Sequence, residues 1–251
     1  MNADSIEIIP IKGLPIFQRN DDISLILQKA LGELGISLIE GDLLVITHSV
    51  VSIVEGSVYH ESEVMPSRKA QQIASKGEIS EFKAEVALRE AQEILREEPV
   101  LITRTRQGII TDYSGVDESN APNEYLIALP KDSDNSALRI HNAISEFAGF
   151  SVPVIITDTQ GRPWRKGAVN LAIGLAGFSP FTHNEGAKDI HGKTLRSSLV
   201  CVADEIAASS ELVMGQADER IPVVIVRGLS QSLGTGTVKE IIRNQSENLF
   251  Q

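Results

Sequence analysis

Asp158 and Thr159 directly follow the apolar run Val154-Ile155-Ile156, and Gly161, Arg162, Trp164, Arg165 and Lys166 come immediately after them. A carboxylate and a hydroxyl at the end of a buried strand are oxygen donors of the kind that hard divalent cations take. The three cations nearby can bind phosphate or an acidic substrate, Arg162 and Arg165 in the two-pronged manner of a guanidinium. A second acidic turn, GVDESN at 115–120, adds Asp117 and Asn120. Residue types leave a plainer reading open beside this one. Asp117 can close an Asx-turn, Asp158 can simply end a strand, and the basic residues can form structural ion pairs.

Other stretches carry less. GAKDIHGKT at 186–194 resembles a phosphate-binding loop, but five residues separate Gly186 from Gly192 where that loop has four. VVIVRGLSQSLGTGTVKEII at 223–242 runs strand, glycine loop, helix, without the spacing of either nucleotide fingerprint. The histidines His48, His60, His141, His183 and His191 never fall four apart on a helix, so spacing gives no zinc site. His48 follows an apolar strand, at a place where function often resides. In VADEIAASSELVMGQADE, 202–219, a helix ends at Gly215, and Gln216 and Asp218 lie on the loop beyond it.

The elements that must position these residues are readable from periodicity. Strands are expected at 6–9, 43–47, 50–54, 100–103, 108–111, 125–129, 154–157, 169–175 and 223–226. Helices are expected at 23–34, 81–98, 137–148 and 202–214, the first capped by Asp21 or Asp22 and the third by Ser136. The order has no regular βαβ rhythm, which predicts an α+β fold with mixed sheets and packed helices. We expect one domain over 1–251, with a sub-domain boundary near the polar stretch 130–136.

Bulk properties narrow the classes. The chain has 251 residues, 42% of them hydrophobic, and a net charge of −11. That charge argues against non-specific nucleic-acid binding, which needs clustered Lys and Arg. No apolar run approaches the roughly 20 residues of a membrane span, and the first residues lack the pattern of a secretory leader. A single cysteine, Cys201, leaves no intramolecular disulfide. The expected location is the cytoplasm.

Taken together, GLPIF near the start, GVDESN, ITDTQGRPWRKG with AIGLAG, KDIHGKTLR, and VADEIAASSELVMG with IPVVIVRGL resemble the coenzyme F420:L-glutamate ligases, also called F420-0:gamma-glutamyl ligases. The segments stand in family order and reach to about residue 229. The resemblance implies that family's α+β fold and an intertwined homodimer. It implies a GTP-dependent ligase that adds L-glutamate to a carboxylate of coenzyme F420-0 through an acyl phosphate, using two divalent cations (Mn2+ or Mg2+) and K+. Asp117 and Asp158 become metal ligands and catalytic residues, joined by Thr159 and by Gln216 near the second metal. The nucleotide site falls on Leu14, Pro15, Ile16, Phe17, Thr47, His48, Ser52, Asn120, Met214, Gly215, Gln216, Ala217 and Asp218. Arg162, Arg165 and Lys166 are expected to meet phosphate or acidic substrate.

Two positions depart from that pattern. Relatives usually read SKAEG where this chain has SIVEG, so Ile53 stands in place of a lysine. Relatives commonly carry ANAG before the acidic turn, where this chain has Asp112 and Tyr113 in ITDYSG. These changes leave room for a paralogous ligase acting on another carboxylate, or for a non-catalytic nucleotide- or metal-binding relative.

Overall fold

The computed structural model describes residues 5–77, 79–119, 121, 123–229 and 234–249. The first stretch contains β1 (Glu7–Pro10), α1 (Ile23–Leu34), β2 (Leu43–Thr47), α2 (His48–Glu55), β3 (Val58–His60) and α3 (Arg68–Lys76). Next come α4 (Glu81–Glu90), β4 (Ala91–Arg96), β5 (Ile102–Thr105), β6 (Ile110–Asp112), β7 (Tyr125–Ile127) and α5 (Ser133–Ala148). The remainder holds β8 (Val154–Arg162), β9 (Arg165–Ala176), β10 (Phe181–His183), β11 (Leu199–Cys201), α6 (Val202–Met214) and β12 (Val223–Arg227). The fold is α+β, as its sequence pattern predicts.

The main sheet has the order β1-β12-β2-β8-β9. All its pairings are antiparallel except β2 with β8, which run parallel with Leu44 opposite Val154 and Thr47 opposite Thr157. Both faces are covered, so these strands are apolar almost throughout. Leu44, Ile46, Val154, Ile156, Val223 and Ile225 meet Leu27 and Leu31 of α1, Val51 of α2 and Ile140 and Ile144 of α5. The alternate residues Leu43, Val45, Ile155, Val224 and Val226 meet Val202, Ala203, Ile206 and Met214 of α6. Side chains alternate faces with period two, so a one-residue slip would exchange the two cores; burial of both sets holds the register. A third cluster unites α3, α4, β7 and the segments just before β5 and after β6 through Ala70, Ile73, Ala84, Ala87, Leu101, Val116 and Leu126.

Four expectations need correction. Residues 50–54 are helical, not extended: α2 follows β2 without a loop, buries Val50 and Val51, and ends at Gly56 in the left-handed region. The expected helix over 81–98 stops at Glu90, and Ala91–Arg96 pairs with β5 instead. The third helix begins at Ser133, inside the supposed boundary loop, because the Asp132 carboxylate accepts from Asn135 N–H and caps it. Strands β8 and β9 are longer than expected and form a hairpin over 154–176. By contrast, β2, α1 and α6 fall on their expected bounds, with Asp22 capping α1. Among the described residues no helix is long and apolar enough to cross a membrane.

Gly174 in β9 lets α5 approach the sheet. A Cβ there would lie 2.4 Å from the carbonyl oxygen of Ser133. Gly174→Ala is therefore expected to lower the unfolding free energy by about 2 kcal/mol through overpacking, read as a lower urea midpoint at unchanged m-value.

Candidate functional site

Because Thr47 pairs with Thr157 at the end of the parallel pair, the next residues, His48 and Asp158, are brought side by side. The open ends of parallel strands are a common location for ligand sites. A register shift between Ile156 and Thr157 precedes Asp158, and such bulges re-aim the side chains that follow. Asp158 is buried; its Oδ1 lies 3.3 Å from His48 Nε2, and its Oδ2 accepts from Gln160 Nε2 at 3.1 Å. Burial pushes its carboxyl above the usual carboxylate range. His48 and Gln160 oppose that shift, whereas the carboxylates of Asp112 and Asp117 add to it.

These groups wall a cleft of about 290 Å³ at the strand ends. The sheet contributes Thr47, Thr157, Asp158, Thr159 and Asn170, the start of α2 contributes His48 and Ser49, and the loop after α6 contributes Gly215 and Gln216. The opposite wall is the segment from Thr111 to Ser119, together with Lys83 of α4. A hydrogen-bonded ring braces the Thr159 side. Thr159 Oγ1 donates to Asn170 Oδ1 (2.6 Å) and accepts from Gln216 Nε2 (2.9 Å). Gln216 Nε2 also donates to Glu211 Oε1 (2.6 Å), and Glu211 Oε2 accepts from Asn170 N–H (2.9 Å). Gly215 leaves the helix at φ 72° and ψ −179°, a conformation reserved for glycine, and this turns Gln216 back toward Thr159.

The opposite wall is bent by a run of left-handed residues, Tyr113 (φ 48°), Ser114 (φ 56°) and Gly115 (φ 70°). Such φ values are costly for non-glycine residues and persist where neighbours enforce them. The buried Ser114 hydroxyl does so here, donating to the Ala87 carbonyl of α4 (2.7 Å) and sharing a hydrogen bond with Thr103 Oγ1 (2.8 Å). Asp117 is held by two backbone hydrogen bonds to Ile127, and its Oδ1 accepts from both the N–H and the hydroxyl of Ser119. It thus forms the Asx-turn of the plainer reading while also facing the cleft.

Of the residues singled out in the sequence, Thr47, His48, Asp117, Asp158, Thr159, Gly215 and Gln216 converge on this cleft. Ala217 and Asp218 lie on the exposed loop at its edge. Others do not line it. Pro15 and Ile16 are exposed, while Leu14 and Phe17 pack in the first core. Ser52 and Met214 are buried, and Ile53 packs against the first core. Arg162, Arg165 and Lys166 sit at the tip of the β8–β9 hairpin, where Arg162 donates to the carbonyls of Lys166 and Gly167. Asn120 lies outside the described residues. Lys83 and Asn170 gained no site role from sequence, because each resembles a solvated or strand residue until the chain folds, whereas Glu211 stood at the start of the segment that the resemblance places along the nucleotide.

The donor set suits a hard divalent cation. The carboxylates of Asp112 and Asp117 act against the charge of Asp158, Thr159 and Gln216 add oxygens, and the buried His48 Nδ1 and Thr157 Oγ1 have no protein hydrogen-bond partner. Among the described residues no three Asp, Glu, His or Cys side chains gather tightly enough to enclose an ion.

Fold and cleft define an α+β protein with an acidic cleft at the end of its parallel strand pair. The sequence signature of the family described as F420-0:Gamma-glutamyl ligase matches residues 12–228. The chain is 39% identical to the coenzyme F420:L-glutamate ligase of Methanothermobacter thermautotrophicus, over 98% of its own length and 99% of that protein's. It is 43% identical to the Methanopyrus kandleri protein of the same name over 84% and 86%, and 38% identical to the Methanocaldococcus jannaschii protein over 98% and 97%. The chain belongs to the F420-0:gamma-glutamyl ligase family.

Burying the Asp158 charge costs folding energy, so metal-free Asp158→Asn is expected to be more stable than the parent at pH 7 by about 1 kcal/mol. A raised folded-state pKa means the penalty is absent below the unfolded value of about 3.9 and grows as pH rises through the folded value. The stability difference between variant and parent therefore shrinks toward pH 4, as read by thermal unfolding in chelator across that range.

Proposed function

We propose that this chain is a GTP-dependent ligase that joins L-glutamate to the carboxylate of coenzyme F420-0 through an acyl phosphate. The observation that carries this reading is the buried Asp158 at the ends of two parallel strands, faced by Asp112 and Asp117 across a cleft. Membership of the ligase family and the names of its relatives support the substrates.

GTP would phosphorylate the acceptor carboxylate, and the glutamate amine would then displace phosphate to form the amide. Phosphoryl transfer rests on positioning and charge neutralisation more than on covalent help from the protein. Divalent cations (Mn2+ or Mg2+, two by the resemblance) bound by Asp117, Asp158, Thr159 and Gln216 would neutralise phosphoryl oxygens. The protein's own contribution is rigidity. His48 and Gln160 fix both oxygens of Asp158, and the Asn170–Glu211 ring fixes Thr159 and Gln216. A cleft of 290 Å³ suits a polyphosphate tail better than a whole nucleotide. The guanosine end would then lie outside it, toward Gly215–Asp218 and the Leu14–Phe17 turn. The same resemblance brings K+ and an intertwined homodimer into the proposal, and the sequence pattern adds a single domain and a cytoplasmic location.

Asp112 and Tyr113 on the cleft wall favour a second reading, the same chemistry on another carboxylate acceptor. One assay separates the two: purified protein with F420-0, glutamate, GTP and Mn2+, followed by product mass. Glutamyl addition is expected, and Asp158→Ala is expected to reduce it by at least about 10³-fold, the scale of losing preorganised charge stabilisation. GTP consumption with a different carboxylate acceptor, and none with F420-0, would establish the second reading instead.

A further inference from the structure

The cleft is acidic, yet a polyphosphate must bind in it if the proposed reaction is right. Among the described residues lining it, one Lys or Arg is present, Lys83. It is the third residue of α4, with its N–H bonded to the Ser80 cap at 3.1 Å, so the helix start fixes its stem. Its side chain is only 16% exposed. The ammonium sits 5.3 Å from the centre of the Tyr113 ring, a cation–π contact, and 3.5 Å from Glu118 Oε2. Tyr113 is itself held rigidly by the left-handed turn that Ser114 ties to α4.

We propose that Lys83 is the anion-binding cation of the cleft and takes the terminal phosphates of a polyphosphate ligand. The inference rests on the nucleotide-dependent reading only for the identity of that ligand. An ordinary ion pair does not account for the placement. The Glu118 carboxylate is half exposed, and a pair of that kind contributes little in water. A partly desolvated ammonium on an aromatic face, among Asp112, Asp117 and Asp158, is a fixed positive charge where the surrounding field is negative. Phosphate oxygens placed between it and a carboxylate-bound cation would be neutralised from both sides. Tyr113 is the positioning residue for this ammonium, and Lys83 the group that touches phosphate.

The test is calorimetric titration of the full chain with GTP, inorganic pyrophosphate and guanosine, each with Mn2+. Lys83→Met keeps the aliphatic stem over Tyr113, and Lys83→Arg keeps the charge. Lys83→Met is expected to weaken GTP and pyrophosphate by about tenfold or more, with guanosine and the melting temperature unchanged. Lys83→Arg is expected to retain most of the affinity. Parent-like binding of both phosphates by Lys83→Met would overturn the inference while leaving the nucleotide reading intact, and so would an equal loss for guanosine. Lys83-dependent pyrophosphate binding without GTP binding would sustain Lys83 and overturn the nucleotide reading. A parent protein that binds neither would overturn both.

Discussion

The parallel pairing of β2 with β8 is the constraint on which the rest depends. It lies inside an otherwise antiparallel sheet, buried on both faces, and its register is held because each strand offers one apolar set to α1 and α5 and the other to α6. A parallel pair ends on the same side, so the residues that leave it emerge together. Here those residues are His48, already inside a helix, and Asp158, still inside a strand. Hydrophobic burial thus determines the position of two polar side chains whose own interactions could not determine it.

The cost of that arrangement is borne by the core. A carboxylate held in a dry position with two others nearby is unfavourable, and neither His48 nor Gln160 fully offsets the burial. The same logic applies to the other wall, where three consecutive residues hold left-handed angles and Ser114 gives both of its hydrogen bonds to keeping them there. Both walls spend local stability on geometry, the usual signature of a site built for a ligand. The third core explains how this is possible. Ala84, Val86 and Ala87 of α4 and Leu101 of the segment before β5 anchor the strained turn from behind, so it does not relax.

Much of this was legible in the chain, for identifiable reasons. The runs at 43–47 and 223–226 are short, β-branched and bounded by turn residues, and α1 carries Asp22 at its start and a left-handed Gly35 at its end. Asp117, Asp158, Thr159 and Gln216 were recognisable because they closely follow apolar or helical runs and stand within or beside the segments that carry the family resemblance. What stayed hidden depends on tertiary contact. Val50, Val51 and Ile53 read as a strand because helix and strand share apolar runs of that length. Their helix forms because β2 feeds directly into it under α5. Residues 91–96 keep helical composition but are taken into a sheet by β5. Lys83 reads as the solvated face of a charged helix, and only the fold of the distant 111–119 segment turns it inward. Arg162, Arg165 and Lys166 show the converse: a conspicuous basic cluster beside Asp158 in sequence, carried away from it by the length of the β8–β9 hairpin.

The β2–β8 seam also has a kinetic consequence. Its two strands are separated by everything from α2 to α5, so a loop holding the whole third core must close before His48 meets Asp158. Contacts of such long range are slow to form, because chain entropy is lost before the pairing returns any energy. The third core, by contrast, draws on α3, α4, Leu101 and β7, within a stretch whose contacts are far more local. The wall carrying Lys83, Tyr113 and Asp117 can therefore be assembled while the sheet is still incomplete. The cleft itself is complete only once that long-range pairing has brought His48 and Asp158 to the other wall.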